Sequence, residues 1–335
     1  MTKISVIGAT TWGTTLAIVN AIGNQKNEIF LLTRSQDETA KLENENQNSK
    51  FLPGYSFPNN VNITNSKSEA LENTHLVIIA VPSITFRKNL TNIKDFISSN
   101  SILLSATKGI EISSGLRMTQ IIKNEILNVS DQNICVLSGP NLAKEIIQGK
   151  PCSSVVASSN ENTINTVQNI LNSELFRLYG NTDIVGVEIA GAMKNITAIA
   201  AGISDGLNFG DNAKSSLITR GLAEMTRLGV SMGAKQSTFS GLAGMGDLIA
   251  TCSSPQSRNN QLGMRLGQGE TLKNIQSSMV NVAEGVSTTK AVINISKSMK
   301  INMPLAEAVF KVLFENIKPI DAYKSLMNRT TKLEI

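Results

Sequence analysis

Residues Glu188 to Ser204, EIAGAMKNITAIAAGIS, restrict what this chain can fold into more than any other stretch. Ile189, Ala192, Ile196, Ile199 and Ile203 recur at helical spacing and form one apolar stripe. A helix meeting water would be polar on its other side, yet that side carries Ala190, Gly191, Lys194, Ala198 and Ala201. A helix that is apolar or small all round is buried. The rest of the chain must therefore surround it, with Lys194 read as the single charge inside it. An ammonium deprived of water deprotonates more easily, which suits a group giving and taking a proton near neutral pH. A lone helix lysine more often runs its stem out to the surface. Small neighbours such as Gly191 and Ala198 oppose that outcome and leave room for something to approach.

Ahead of this helix, strand and helix signals alternate. Lys3 to Ile7 is a short apolar run, followed by Gly8-Ala9-Thr10-Thr11-Trp12-Gly13 and then by the helical pattern of Leu16, Ala17 and Val19. This is the strand, glycine turn and helix of a dinucleotide-binding unit, with Gly8 for the tight turn and Gly13 for helix packing. Position ten, where a glycine lets the pyrophosphate approach, is Thr10. Its β-branched side chain is expected to hold the backbone away from the phosphates or to force a compensating shift, with its hydroxyl able to donate a hydrogen bond in return. Glu28 to Leu32 is a second strand, ending at Thr33-Arg34-Ser35, where NAD enzymes place an acid for the ribose 2′-hydroxyl. A basic residue there suits a 2′-phosphate, so Arg34 favours NADP(H), with NAD(H) also possible and Asp37 close behind. Phe51-Leu52-Pro53-Gly54 reads as a turn, in which Phe51 offers a wall to the cofactor.

His75 to Val81, Ser101 to Ser105 and Asn133 to Leu137 continue the pattern as buried parallel strands. His75 is read as structural. The second of these runs leads to Ala106-Thr107-Lys108-Gly109 and the third to Ser138-Gly139-Pro140-Asn141. Both loops would stand beyond the carboxyl ends of strands, where open α/β sheets bind ligands, and together they make a rim that favours anions. Ser153 to Ala157 and Phe176 to Tyr179 flank a polar helix from Glu161, after which everything reads helical. The expected division is residues 1–181, a Rossmann-type parallel sheet domain, and residues 182–335, an all-α substrate and catalytic domain.

In the helical half, Gly241 to Leu248 is a glycine-rich turn into a helix that puts Asp247 and Thr251 one turn apart on one face, with Asp247 a candidate helix cap. Ser257-Arg258-Asn259 opens another helix after Pro255, a position suited to a phosphate clamp. Val282-Ala283-Glu284-Gly285 precedes a further helix, and the tail from Thr330 to Ile335 is expected to fray.

Composition excludes several functional classes. The 335 residues are 41% hydrophobic and 17% charged, enough for two domains with large cores. The net charge of +5 is scattered, with no basic run and few aromatics for base stacking, so small anionic ligands are favoured over nucleic acid. Three dispersed cysteines and one histidine argue against a metal centre or a histidine triad. No signal peptide or run of membrane-spanning length is read, so a cytoplasmic protein without stable membrane insertion is the expectation.

Taken in order, GATTWGTTLA, ATKGIE, LSGPN, GAMKNITAIAAGISDGL, GLAGMGDLIATC, SRNNQLG and VAEGV resemble the bacterial glycerol-3-phosphate dehydrogenase family over nearly the whole chain. The resemblance implies a Rossmann domain joined to a helical domain like that of 6-phosphogluconate dehydrogenase. It implies NAD(P)H-dependent reduction of dihydroxyacetone phosphate to sn-glycerol 3-phosphate, which feeds glycerophospholipid synthesis. It also implies a homodimer. By motif position, Lys194 would be the general acid/base and Lys108 a second lysine on the small phosphorylated substrate. Gly139, Asn141, Asn195, Asp247 and Thr251 would line or order the substrate site, and Ser257, Arg258 and Asn259 would hold substrate phosphate and cofactor. Thr11, Trp12, Arg34, Lys108, Ala143, Arg258, Val282 and Glu284 match positions contacting the dinucleotide. The chain departs from the family at Thr10, its second glycine; at Thr11, its usual serine; and at Asn141, its serine or threonine. Two rival readings are a related dehydrogenase for a β-hydroxy acid or phosphosugar, and a non-catalytic NADP(H) sensor, the latter motivated by Thr10.

Overall fold

The computed structural model describes residues 2–279 and 283–330; Val282 and most of the tail lie outside them. Strand and helix alternate through the first half. In chain order these are β1 (Lys3–Ile7), α1 (Thr11–Gly23), β2 (Glu28–Leu32), α2 (Gln36–Glu45), β3 (Gln47–Asn48), β4 (Leu52–Ser56), β5 (Val61–Thr64), α3 (Lys67–Leu71), β6 (Leu76–Ile79) and α4 (Phe86–Ile93). They continue with β7 (Ile102–Ser105), α5 (Met118–Glu125), β8 (Ile134–Ser138), α6 (Ala143–Ile147), β9 (Cys152–Ser158), α7 (Glu161–Leu171) and β10 (Phe176–Asn181). Short apolar runs bounded by turn residues form the strands, and the covering helices bury apolar stripes on both faces of the sheet.

Eight strands pair in the order β10-β9-β8-β7-β6-β1-β2-β5. The chain leaves β1 toward β2 and β5, then returns to place β6 on the other side of β1. That reversal is the crevice where open α/β sheets take their ligands. The sheet is not parallel throughout: β9 runs antiparallel to β8, with Ser138 opposite Val155, while β9 and β10 are parallel to each other. The reversal carries the start of β9, Cys152 to Ser154, to the carboxyl end of β8. Phe51 to Gly54 is also more than a turn, because Leu52–Ser56 pairs with Gln47–Asn48 as a two-stranded ribbon. Pro53 is tolerated because a two-stranded ribbon leaves its outer edge unpaired.

From Ile184 on, all regular elements among the described residues are helical: α8 (Ile184–Gly206), α9 (Gly210–Ser231), α10 (Asp247–Ser253), α11 (Arg258–Gly267), α12 (Leu272–Ser278), α13 (Glu284–Ser298), α14 (Pro304–Phe314) and α15 (Pro319–Met327). Helix α8 is 23 residues long and its most apolar 18-residue window has a mean hydropathy of 1.4, enough by length and composition to cross a membrane, contrary to the reading from sequence. Its most apolar window is 89% buried inside the fold, so the other helices supply its apolar surroundings. Two buried charges lie on it rather than one, since Glu188 is 6% exposed and Lys194 7%.

Helices α8 and α11 touch backbone to backbone. A Cβ on Gly202 would fall 2.0 Å from the Asn260 carbonyl oxygen, and one on Gly263 would fall 2.1 Å from that of Ile199. This approach fixes the start of α11, where Arg258 and Asn259 stand, relative to Lys194 on α8. Gly263→Ala is therefore expected to force the helices apart and lower stability by about 1–3 kcal/mol, the usual cost of overpacking. Denaturant unfolding of purified protein checks it, and an unchanged midpoint would contradict the contact.

Candidate active site

The glycine turn opens the site. Gly8 has φ +103°, and a Cβ there would fall 2.7 Å from a Val81 methyl; a Cβ on Gly13 would fall 2.0 Å from the Gly8 carbonyl oxygen. Only glycine fits either place. Thr10 lies between these two glycines. It sits at φ −81° as the cap of α1, its hydroxyl accepting from the Gly13 amide at 3.1 Å and donating to the Ala80 carbonyl at 2.8 Å. A position usually kept bare thus carries a side chain that satisfies a helix-end donor and ties the turn to β6. The Thr11 hydroxyl donates to the Phe51 carbonyl at 3.2 Å, and Trp12 is half-buried one residue on.

Arg34 stands at the end of β2 with its side chain 73% exposed, paired with Glu38 at 3.2 Å. Beyond β6, the carboxylate of Glu284, at the start of α13, accepts from the Ser83 amide at 3.1 Å and from the Ser83 hydroxyl. This bond links the helical half to the rim of the sheet. Arg258 is open to solvent yet closely surrounded by protein; desolvation lowers its pKa below that of an ordinary arginine, and the charge of Glu284 opposes the shift. Its guanidinium makes no hydrogen bond or ion pair among the described residues, which leaves it available to an anion. A dinucleotide fits a turn that a Cβ would fill and the N-terminus of α1, and Arg258 adds a cation near Glu284.

A buried charge cluster lies where α8, α10 and the loop after β7 meet. Lys194 donates to Asp247 Oδ1 at 2.5 Å and to Thr251 Oγ1 at 2.7 Å. Lys108 donates to Asp247 Oδ2 at 2.6 Å and to the Gly139 carbonyl at 2.8 Å. The Thr251 hydroxyl donates to Asp247 Oδ1 at 3.1 Å. Asp247 is 1% exposed, so one buried carboxylate is shared between two lysines. It is not the helix cap: Gly246 precedes α10, and Leu242–Gly246 forms a π turn that swings Asp247 inward. Each ammonium has three N–H donors and spends two, so two unspent donors remain beside one another.

Lys194 titrates well below an ordinary lysine, pushed down to about 7. Burial is the largest cause; Asp247 opposes the shift and Lys108 adds to it by like-charge repulsion. The room beside Gly191 is used by Ser138 and Lys108, since a Cβ there would fall 2.6 Å from Ser138 Oγ and 3.4 Å from Lys108 Cγ.

Other expected residues hold these in place. Asn259 donates to Asn195 Oδ1 at 2.9 Å and accepts from the Gly285 amide at 2.9 Å, joining α11, α8 and α13. Ser257 caps α11 by accepting from the Asn260 amide at 3.3 Å. Asn141 donates to Ser154 Oγ at 2.5 Å, while its own Oδ1 is buried without a partner. Ala143 begins α6. His75 Nδ1 accepts from the Lys3 amide at 3.2 Å, away from the cluster. Among the described residues no group of three or more His, Cys, Asp or Glu could hold a metal ion.

Sequence reasoning missed Glu188. Its carboxylate accepts from the Thr119 amide at 2.8 Å, the Thr119 hydroxyl at 2.6 Å and Arg117. This fastens α8 to the start of α5. The signal was the one that exposed Lys194: a charge on a helix that has no watered face. Ser83 had no comparable signal, because its partner is 201 residues away.

Comparison with known proteins follows the same layout. Residues 3–164 match the model of the NAD-dependent glycerol-3-phosphate dehydrogenase N-terminus and residues 183–324 that of its C-terminus. A glycerol-3-phosphate dehydrogenase (NAD(P)+) of Dehalococcoides mccartyi is 47% identical over 328 residues, covering 98% of this chain and 91% of the relative. One of Corynebacterium glutamicum is 44% identical over 335 residues, covering 100% of each. The crystal structure of glycerol-3-phosphate dehydrogenase from Coxiella burnetii superposes with a TM-score of 0.93 at 36% identity, covering 98% of this chain and 99% of that one. D-mandelate dehydrogenase, at 14% identity and a TM-score of 0.64, shares the fold.

The electrostatic arrangement has a direct test. Because Asp247 holds the Lys194 pKa up, Asp247→Asn should lower it further below about 7. Lysine-labelled NMR, with the Lys194 resonance assigned by its loss in Lys194→Met, would show this; a midpoint that rises or stays put would refute the shared-carboxylate account.

Proposed function

The chain belongs to the NAD-dependent glycerol-3-phosphate dehydrogenase family, and from that premise we propose that Lys194 is the general acid/base of an NAD(P)-linked interconversion of dihydroxyacetone phosphate and sn-glycerol 3-phosphate. The observation that carries this reading is a buried lysine pushed down to about 7, held by Asp247 and Thr251 with one N–H left over. The dihydronicotinamide, when bound, supplies the hydride to the ketone carbon. The chain's part is to place the ketone, hold its phosphate and deliver a proton.

In the reducing direction Lys194 acts as ammonium. Its unspent N–H meets the ketone oxygen and passes to it as negative charge develops there. The resulting amine remains hydrogen-bonded to Thr251, and Asp247 stays ionised with Lys108 as counter-ion. In the oxidising direction the neutral amine takes the hydroxyl proton back. The free N–H of Lys108 supports the same oxygen or the neighbouring hydroxyl. Arg258, an unpaired cation in the crevice, binds phosphate on the substrate and the cofactor, and Asn195 with Asn259 keeps α11 in register. Gly139 and Asn141 flank the substrate on the rim by which Lys108 is held. Ser257 holds α11 by its first turn.

On the dinucleotide side, Gly8, Thr11, Trp12 and Gly13 receive the phosphates, with Phe51 and Ala143 beside them. Arg34 takes a 2′-phosphate, which favours NADP(H), and Glu284 closes the crevice through Ser83. Val282 carries the same role from its motif position and falls outside the described residues. Thr10 gives no support to a non-catalytic sensor, since it caps α1 rather than spoiling the turn. Residues 1–181 serve as the nucleotide half and 182–335 as the substrate half of a cytoplasmic homodimer that supplies glycerophospholipid synthesis.

Initial rates of NADPH and NADH oxidation with dihydroxyacetone phosphate test the reading. Lys194→Met should lower kcat by about 10²–10⁴-fold, the usual worth of general acid catalysis, with dinucleotide affinity within about twofold of wild type. Normal turnover in that variant would remove Lys194 from the role. The pH dependence has a fixed sign. Reduction requires the ammonium, so kcat/KM for reduction should fall as pH rises through about 7, while oxidation, which requires the amine, should rise over the same interval. Parallel pH profiles in the two directions would contradict it.

A further inference from the structure

Arg34 and Glu38 share one place at the end of β2. Ser35 caps α2, its hydroxyl accepting from the Glu38 amide at 3.3 Å. This turns the Glu38 side chain back over the strand end. There its Oε2 accepts from the Arg34 backbone amide at 3.1 Å, and its Oε1 lies 3.2 Å from Arg34 Nη2. The two ends of the pair differ in freedom: the Arg34 side chain is 73% exposed, whereas that of Glu38 is 19% exposed. The carboxylate is therefore the anchored partner and the guanidinium the movable one.

The strand end is also close to the glycine turn, with the Gly8 amide donating to the Leu32 carbonyl at 3.1 Å. In this fold the loop at the end of the second strand faces the adenosine ribose, where an acid accepts the 2′-hydroxyl and an arginine nearby accommodates a 2′-phosphate. Arg34 occupies that position in sequence, yet α2 returns an acid to the same point one turn later. Asp37 lies in the same first turn, so α2 already has two acidic groups at its positive end.

We propose that Glu38 is a cofactor-specificity residue, setting the balance between NADP(H) and NAD(H) by occupying Arg34. The inference rests on the dinucleotide reading above. A 2′-phosphate must draw the guanidinium away from Glu38, while a 2′-hydroxyl finds in Glu38 an acceptor already in place. Glu38 thus weakens the binding that Arg34 would otherwise favour and supports the alternative cofactor.

Glu38→Gln keeps an oxygen to accept the Arg34 amide and removes only the charge. Calorimetric dissociation constants for NADPH and NADH, at an ionic strength on the order of 0.05 M to limit screening, provide the test. The NADPH constant should fall by about threefold to fivefold, the scale of a partly exposed ion pair, while the NADH constant stays the same or rises. An unchanged NADPH-to-NADH ratio, or a shift toward NADH, overturns the proposal. In an Arg34→Ala background, Glu38→Gln should change the NADPH constant less than twofold. The same gain in both backgrounds would mean that Glu38 acts without Arg34, and would overturn it as well. If the wild-type protein binds neither dinucleotide, the cofactor reading itself falls, an outcome distinct from a silent Glu38 substitution.

Discussion

A single buried carboxylate holds the centre of this molecule together. Asp247 accepts Lys194 from α8 on one oxygen and Lys108 from the sheet's rim on the other, at 2.5 and 2.6 Å. Burying a charge unpaired is costly, and so is burying two like charges side by side. The cluster solves both problems with one anion between two cations, leaving the site with a net positive charge where a phosphorylated ligand is expected. Since the two lysines come from opposite halves of the chain, the arrangement exists only when the halves are docked.

Two further contacts between the halves preserve the docking. Glu188 on α8 takes the amide and hydroxyl of Thr119 together with Arg117. Glu284 on α13 takes the amide and hydroxyl of Ser83. Each joins an acid of the helical half to donors of the sheet half. Inside the helical half, the contact of α8 with α11 through Gly202 and Gly263 fixes the spacing between Lys194 and Arg258. The proton transfer proposed for Lys194 depends on this rigidity, because the shift in Lys194 comes first from burial, and burial lasts only while the surrounding helices stay packed.

Much of the site was legible because burial leaves a mark on composition. A helix with no polar face announces its own burial, and a lysine within it announces a need for a partner. The partner itself was harder to read. Asp247 looked like a cap because it follows a glycine-rich segment at a helix start; the π turn at Leu242–Gly246, which depends on packing, turned it inward. Thr10 looked like a defect because the glycine rule describes close approach of a ligand; its bond with the Gly13 amide is a local cap, but the Ala80 carbonyl that its hydroxyl meets is 70 residues away. The antiparallel β9 was hidden for a similar reason, since a buried strand reads alike in either direction.

By itself the sequence determined the alternation of strand and helix through Asn181, the helical remainder, the glycine turn and the buried lysine. These follow from periodicity, turn chemistry and the cost of placing an apolar helix in water, all of which act over a few residues. Tertiary structure alone decided which acid Lys194, Lys108 and Ser83 would meet. Lys194 and Asp247 are 53 residues apart, Lys108 and Asp247 are 139 apart, and Ser83 and Glu284 are 201 apart. A charge identifies its need for a partner locally, but the partner is selected by the packing that brings distant segments within hydrogen-bonding distance.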